Sequence, residues 1–509
     1  MEGEIPTRAG ALPPQVSADV CVVGAGMTGL SVAHALARLG RSVVVLEQGA
    51  VGCGDTSRTS AHLSNVLDEG YVALERMHGA KGARLAAESH ARAIDHIGDV
   101  QAREDIACDF VRVEGFLHLA PGQDVESLRE EMHAAERAGL RVEWLDTSAG
   151  PAIGAGPCLR FPHQAQFHPR RYLAGLVRAI ERLGGRIYTQ THVTKFEGGE
   201  PVRVTTASGS EITASALVIA TNTPVNDVVV VHTKQAAYRS YVVALAVPRG
   251  SVPLALHWDT ANPYHYVRVA RYETLRDQDV LLVGGADHRT GDEIHPEHRW
   301  DELEAWARVR FPMATARVDR WSGQIMEPVD GLSFIGRNPA DAKNVYIATG
   351  DSGHGLTHAA IAASMITALI HGRSHPCESL YDPRRITLGA LARYAKESWV
   401  TAKHYADWVR PGDVSSEDEI PEGEGATMLV SGRRLAVYRD QLGRCHRFSA
   451  SCKHLGGVVH WNAAEKTWDC PCHGARFDRE GRVVNGPANE DLDRVDITLP
   501  THVPVLVGR

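Results

Sequence analysis

Apolar positions along this chain change rhythm at about residue 410. Residues 19–23 form a short apolar run, 30–39 then repeat at helical spacing and stop at Gly40, and 41–46 are apolar again up to Glu47. That succession predicts strand, helix, strand. Residues 84–101 and 125–139 keep helical spacing with their charges outward, and 388–408 read as a further helix. Residues 217–220, 241–247, 264–269, 280–283 and 344–350 read as strands, and about 358–370 as a helix. The alternation in 264–269 puts Tyr264, Tyr266 and Arg268 on one face. The stretch 409–425 is acidic and rich in Pro, Gly and Ser, which predicts a linker. Beyond it come only short strands with turns such as Gly432-Arg433 and Glu480-Gly481, which predict a small β domain.

Composition narrows the class. The chain has 509 residues, enough for about three domains. A formal charge of −8 argues against a nucleic-acid surface. Residues 359–370 are too short an apolar run to span a membrane, and residues 1–16 have no apolar segment of the signal-peptide kind. Nine cysteines, an odd and mostly scattered set, point to free thiols in a reducing compartment, hence a cytoplasmic protein.

Two motifs carry chemistry. Between the first predicted strand and helix stands Gly24-Ala-Gly26-Met27-Thr28-Gly29. Gly24 permits a tight turn, Gly26 lets the backbone approach a pyrophosphate, and Gly29 lets the helix pack on the sheet, while Glu47 would accept ribose hydroxyls. This unit binds a dinucleotide but does not by itself separate FAD from NAD. Gly284-Gly285 follow another strand but lack the third glycine and the helix, so no second nucleotide domain is expected. Near the C-terminus, Cys452-Lys453-His454 and Cys470-Pro471-Cys472-His473-Gly474 each mix a thiol and an imidazole in one short loop. A Rieske centre needs two thiolates on one iron and two imidazoles on the other. A Cys2His2 zinc site is the competing use, although such sites usually pair like ligands.

Residues 426–509 resemble the Rieske [2Fe–2S] family, which implies Cys452 and Cys470 on one iron and His454 and His473 on the other. High-potential members carry a further Cys at the position of Gly457, a Ser at that of Ala475 and a Tyr at that of Phe477. The missing hydroxyls imply a potential in the lower part of the roughly −150 to +300 mV Rieske range. The family's imidazole edges sit nearest solvent.

Residues 15–385 resemble the D-amino-acid-oxidase-like FAD superfamily. The resemblance rests on the first glycine motif and on a late strand followed by Gly350-Asp351-Ser352-Gly353-His354-Gly355-Leu356-Thr357, whose turn meets the flavin in the family. It also rests on Asp55-Thr56-Ser57-Arg58-Thr59-Ser60, on the strand from Leu217 that ends in Ala220-Thr221-Asn222 and on Val193 at the adenine strand. It implies an α/β (α+β) FAD-binding Rossmann-type domain over about 1–408 with an inserted substrate domain, plus a C-terminal all-β Rieske domain over 426–509. The FAD-binding parts would be about 1–85, 160–225 and 330–385, and the substrate parts about 86–159 and 226–329. His62, Tyr266, Arg268 and His354 are the candidate catalytic residues. The family's carboxylate-binding Arg is replaced by Ile325, which puts an α-amino acid substrate in doubt.

The whole resembles FAD-dependent oxidoreductases with a C-terminal Rieske domain. The expected activity is hydride transfer from a small amine-like substrate to FAD, then single electrons to the [2Fe–2S] cluster and an external one-electron carrier. Reversed flow from an external reductant, for reduction or monooxygenation, is the alternative. A non-catalytic redox sensor or electron carrier is the third reading.

Overall fold

Two large sheets organise the first four hundred residues. The computed structural model describes residues 5–8, 10–147, 156–225, 229–272, 275–339 and 343–496. The expected domain ends at 1–4 and 497–509 lie outside the described residues. In the first sheet, Gln15–Val23 runs parallel to Val43–Leu46 on one side and to Glu211–Ile219 on the other. Arg186–Tyr188 and Val345–Thr349 extend it in the same sense. The C-terminal ends of these strands therefore meet along one edge, where open parallel sheets bind their ligands.

Alternating residues of the central strand divide the core. Val20 and Val22 pack with Leu30 and Ala33 of the helix Met27–Arg38 and with Ile361 of the helix Gly355–Ile370. Cys21 and Val23 turn the other way, toward Val204, Ile212 and Phe334. The helix Gly355–Ile370 starts three residues earlier than its apolar spacing suggested, because Gly355 opens it without an apolar side chain. Likewise the helix Tyr71–Arg103 is much longer than 84–101. It is interrupted at Gly79 (φ 70°), and Gly79 and Gly82 hide its period in the sequence.

The second sheet has nine strands. It runs Arg317–Pro328, Gln235–Pro248, Gln278–Arg289, His265–Ala270, Ala255–Asp259, Val111–His118, Cys158–Gln166 and His62–Leu63, with Glu143–Leu145 beside Cys158–Gln166. The small domain is built from a three-stranded sheet (Gly425–Val430, Arg433–Arg439, Cys445–Ser449) and a four-stranded one (His460–Asn462, Thr467–Asp469, Arg476–Asp478, Val483–Asn485). Trp461 and Trp468, with ring centroids 4.8 Å apart, share its core with Phe448, Phe477 and the thiols of Cys452, Cys470 and Cys472. This is the α/β FAD-binding fold plus all-β domain that the sequence implied. Within 409–425 three acidic side chains have partners on the small domain. Asp413 accepts the Thr427 N–H at 2.8 Å, Glu417 pairs with Arg447, and Glu424 accepts the Trp461 Nε1–H at 2.9 Å.

The two parts meet through buried charge. Glu465 of the small domain accepts Arg58 at 3.3 Å and the Ser322 hydroxyl at 2.7 Å, and it also pairs with Arg239 and Arg476. Arg239 and Arg476 have 0% and 2% side-chain exposure. Asp469 takes a second bond from Arg476 at 3.0 Å. Burial pushes the Glu465 carboxyl up, but Arg239, Arg476 and Arg58 together outweigh it and hold the group at about 2. An exposed Glu titrates at about 4.3, so the contribution of Glu465 is present in full above that pH and is lost as pH falls toward 2. Glu465→Gln removes the compensating charge from buried arginines, which costs about 3 kcal/mol or more. Denaturant unfolding at neutral pH should show that loss, and the difference between variant and parent should shrink at acid pH.

Candidate functional site

The glycine turn is built for close approach. Gly24 has φ +104°, and a Cβ there would lie 2.4 Å from the Ala220 carbonyl oxygen. A Cβ on Gly29 would lie 1.9 Å from the Gly24 oxygen, so the helix could not seat on the turn. The Met27 N–H donates to Thr56 Oγ1 at 3.1 Å, which ties the helix start to the 56–60 segment. Glu47 accepts the Ala25 N–H at 2.7 Å and the Gly49 N–H at 2.9 Å, which leaves carboxylate lone pairs toward the space in front of it.

That space is a cavity of about 390 Å³ at the C-terminal edge of the parallel sheet. Gly24, Gly26, Met27, Thr28, Glu47, Thr56, Arg58, Thr59, Ser60, Val193, Ala220, Thr221 and Asn222 line it. So do Asp351, Gly353, His354, Gly355 and Leu356, together with His62, Tyr264 and Tyr266. Five predicted residues stand behind the wall. Gly29 packs the helix, Ser57 donates to the Gly54 carbonyl at 2.9 Å, and Gly350 (φ +75°) lies against Pro328. Thr357 Oγ1 sits 2.9 Å from His90 Nδ1, and Arg268 donates from Nε to the Ser60 carbonyl. Arg268 thus fixes the 56–60 segment from behind, and burial lowers its guanidinium to about 10.

The wall beside the second sheet holds the candidate chemistry. His62 stands edge-on to Tyr266 at 5.3 Å, and burial, with Arg268 nearby, pushes its pKa down to about 3, so it is neutral at ordinary pH. Gly284, rejected above as part of a nucleotide turn, has a different use: a Cβ there would overlap the Tyr266 ring at 2.1 Å. His354 Nε2 lies 3.1 Å from the Asp68 N–H and 3.2 Å from Asp68 Oδ1. The first contact needs Nε2 as acceptor and the second needs it as donor, so the ring tautomer decides between them. Tyr264 OH donates to Asp68 Oδ2 at 3.1 Å, and Gly353 makes room, since a Cβ there would lie 2.3 Å from that oxygen. Asp351 accepts the Met326 N–H at 3.0 Å, and burial pushes its carboxyl up to about 6.

The two cluster loops share one backbone design. The Cys452 N–H donates to the Gly457 carbonyl at 2.8 Å and the Gly456 N–H to the Cys452 carbonyl at 2.9 Å. Likewise the Cys470 N–H donates to the Ala475 carbonyl at 2.8 Å and the Gly474 N–H to the Cys470 carbonyl at 3.0 Å. Gly456 and Gly474 have φ +71° and +79°, which favour glycine. These loops bring His454 and His473 to 4.9 Å between ring centroids, and His454 Nδ1 is buried without a hydrogen-bond partner. Two buried thiols and two converging imidazoles, one with an orphaned ring nitrogen, fit the donor set of a Rieske cluster. A Cβ on Gly457 would lie 2.6 Å from Cys472 Sγ, so the absent second Cys leaves that thiol unbridged. His454 is half-buried. His473 is buried, and His232 of the larger domain stands 4.7 Å from the His454 ring and 6.2 Å from that of His473.

Several residues at these sites carried no signal in the sequence reading. Asp68 and His232 lie outside every motif, Asn485 and Asn489 lie outside the cluster loops, and Gln324 adjoins Ile325 with no role assigned to it. Asp55, by contrast, opens the recognised 55–60 segment, although no role was assigned to it. It accepts the Gln324 N–H at 2.8 Å and the side-chain amides of Asn222 and Asn485 at 2.9 and 3.2 Å. Gln324 lines the cavity, and its Nε2–H donates at 2.9 Å to the carbonyl of Gly474, the neighbour of His473.

Ala475 and Phe477 are fully buried beside the cluster loops. Restoring hydroxyls there by Ala475→Ser and Phe477→Tyr should raise the cluster potential by adding donors that favour the reduced state. A redox titration followed by electron paramagnetic resonance checks this, and a fall or no change counts against it.

Both domains match known families. Residues 19–369 match the FAD-dependent oxidoreductase (DAO) family, and residues 410–500 match the Rieske [2Fe-2S] domain. The Bacillus subtilis (strain 168) protein YhfW, named as a Rieske 2Fe-2S iron-sulfur protein, is 31% identical over 490 residues, covering 96% of this chain and 95% of its own length. Gamma-glutamylputrescine oxidoreductase of Escherichia coli (strain K12) is 28% identical over 376 residues, covering 71% of this chain and 85% of its own. Among solved structures, glycine oxidase from Geobacillus kaustophilus shares the fold with a TM-score of 0.60 at 18% identity, covering 73% of this chain and 100% of that one. This chain belongs to the DAO family of FAD-dependent oxidoreductases and carries a Rieske [2Fe-2S] domain at its C-terminal end, so it is an oxidoreductase that binds both FAD and the iron–sulfur cluster.

Proposed function

We propose that this protein oxidises a small amine that lacks an α-carboxylate and delivers the electrons, one at a time, to an external carrier. FAD supplies the hydride acceptor, and the cluster supplies a one-electron relay. The observation that carries the reading is the charge on the cavity wall. Asp68 presents a carboxylate with 33% side-chain exposure. Among the described residues Arg58 is the sole Lys or Arg that lines the cavity, and its guanidinium is turned to the Ser322 carbonyl at 3.0 Å and to Glu465. Ile325 stands on the wall at the position where the resembling family has its carboxylate-binding Arg. A substrate carboxylate would meet Asp68 and no uncommitted cation. A protonated amine would meet its counter-charge, with the Tyr264 and Tyr266 faces adding cation–π attraction.

The residues divide the work. Asp68 binds and orients the ammonium group, and Tyr264 fixes the Asp68 carboxylate. His354 takes the ammonium proton on Nε2 and then donates to Asp68 Oδ1, across the 3.2 Å contact already formed. The neutral amine can then give up the hydride from its α-carbon, and water hydrolyses the resulting iminium ion to a carbonyl compound and ammonium. Tyr266, whose hydroxyl burial keeps protonated, and neutral His62 wall the site without adding charge. The relative named for gamma-glutamylputrescine supports an amine. Gln324, bonded to the cluster loop and lining the cavity, supports transfer between the two cofactors within one chain. All nine cysteines are unbridged, which agrees with a reducing compartment such as the cytoplasm.

Anaerobic addition of primary amines and diamines should bleach the flavin, while glycine and proline should not. Bleaching by amino acids alone, or by no substrate but only by an external reductant acting through the cluster, overturns the reading. The latter result would favour reversed electron flow. Asp68→Asn should raise the amine KM about tenfold or more with FAD content unchanged, since a charge-assisted contact is lost.

A further inference from the structure

We propose that the Rieske domain is part of the FAD-binding site: its 483–489 loop closes the adenosine end of the cavity, so FAD and the docked domain hold each other in place. The inference rests on FAD occupying this cavity and not on the identity of the substrate.

Val483, Val484, Asn485, Gly486, Ala488 and Asn489 line the same cavity as the glycine turn. They come from the last strand of the small domain and the turn after it, beyond both cluster loops in sequence. The loop is bonded to the dinucleotide wall at both ends. Asn489 Nδ2–H donates to the Val193 carbonyl at 3.1 Å, and His192 Nε2 lies 3.2 Å from the Asn489 carbonyl oxygen. Asn485 Nδ2–H donates to Asp55 Oδ2 at 3.2 Å. Between them Gly486 sits so close that a Cβ would lie 3.1 Å from Val225 Cγ1.

Position gives these contacts their meaning. Val193 and Glu47 mark the wall assigned above to adenine and ribose. Asp55 joins the loop to Gln324 and Asn222, which wall the cavity further along. A nucleotide in this cavity is enclosed by the larger domain on one side and by the small domain on the other. Leaving requires the 483–489 loop to lift, which breaks the Asn485 and Asn489 bonds. Occupancy in turn gives the loop more surface to pack on. Two binding events that share one surface favour each other by the same factor in both directions. FAD loading should therefore precede or accompany docking of the small domain, and loss of docking should release FAD.

The test uses the full-length holoprotein. The double variant Asn485→Asp with Asn489→Ala sets a second carboxylate against Asp55 and removes the bond to Val193. FAD release, followed as flavin fluorescence after dilution, should be about tenfold faster or more than in the parent. The reduced-cluster paramagnetic signal should be retained, which shows that the small domain is folded. Unchanged release with that signal present overturns the proposal. Should the variant lose its cluster, the parent protein decides: backbone amide exchange in 483–489 should quicken when FAD is removed and slow again when it is restored. Exchange indifferent to FAD also overturns it.

Discussion

Glu465 is a carboxylate carried by the small domain into a ring of three guanidinium groups, two of which, Arg58 and Arg239, belong to the other domain. Without the Glu465 charge, Arg239 and Arg476 would be two buried cations facing each other. Brought together, the charges compensate one another, and Ser322 and Asp469 satisfy further hydrogen bonds. Breaking one member of such a cluster is costly because the remainder stays buried and unpaired. This contact gives the small domain a single seat, and the other contacts of the interface depend on that seat.

Once the domain is seated, three of its loops reach the larger domain at useful places. The Cys470–Gly474 loop meets Gln324 through Gly474, and Arg289 donates to the Pro471 carbonyl at 3.2 Å. The loop that starts at Cys452 is held from the other side, where Tyr405 OH donates to the Leu455 carbonyl and Trp408 Nε1–H to the Gly456 carbonyl, each at 2.9 Å. The 483–489 loop meets the dinucleotide wall. Arg58 belongs to both systems, because it lines the cavity and pairs with Glu465. The charge that seats the cluster domain is therefore the same charge that leaves the cavity without an uncommitted cation, and cavity charge and domain docking share one residue.

Much of this was legible from local pattern. The strand–glycine–helix unit could be read because Gly24, Gly26, Gly29 and Glu47 act within one short βαβ segment. The cluster loops could be read because the hydrogen bonds that shape them, such as Cys452 N–H to the Gly457 carbonyl, close within a few residues. Arg268 shows where such reading stops. Alternation placed it correctly on the face of Tyr264 and Tyr266, but not behind the Ser60 carbonyl rather than in the cavity. Gly284 likewise gave no hint that its missing side chain makes room for Tyr266.

The sequence by itself determined the parts: which segments become strands and helices, which glycines make the tight turn between strand and helix, and which loops carry the paired thiols and imidazoles. Each depends on residue types at short spacing, where backbone sterics and local hydrogen bonds dominate. Tertiary structure alone decided how the parts face one another. Asp68 meets His354 across 286 residues, and Asn485 meets Asp55 across 430. An Asp, a Gln or an Asn at such positions looks like any solvated polar residue in the linear chain. Its role appears only when packing within the larger domain brings Asp68 to His354, and when the docked small domain brings Asn485 to Asp55.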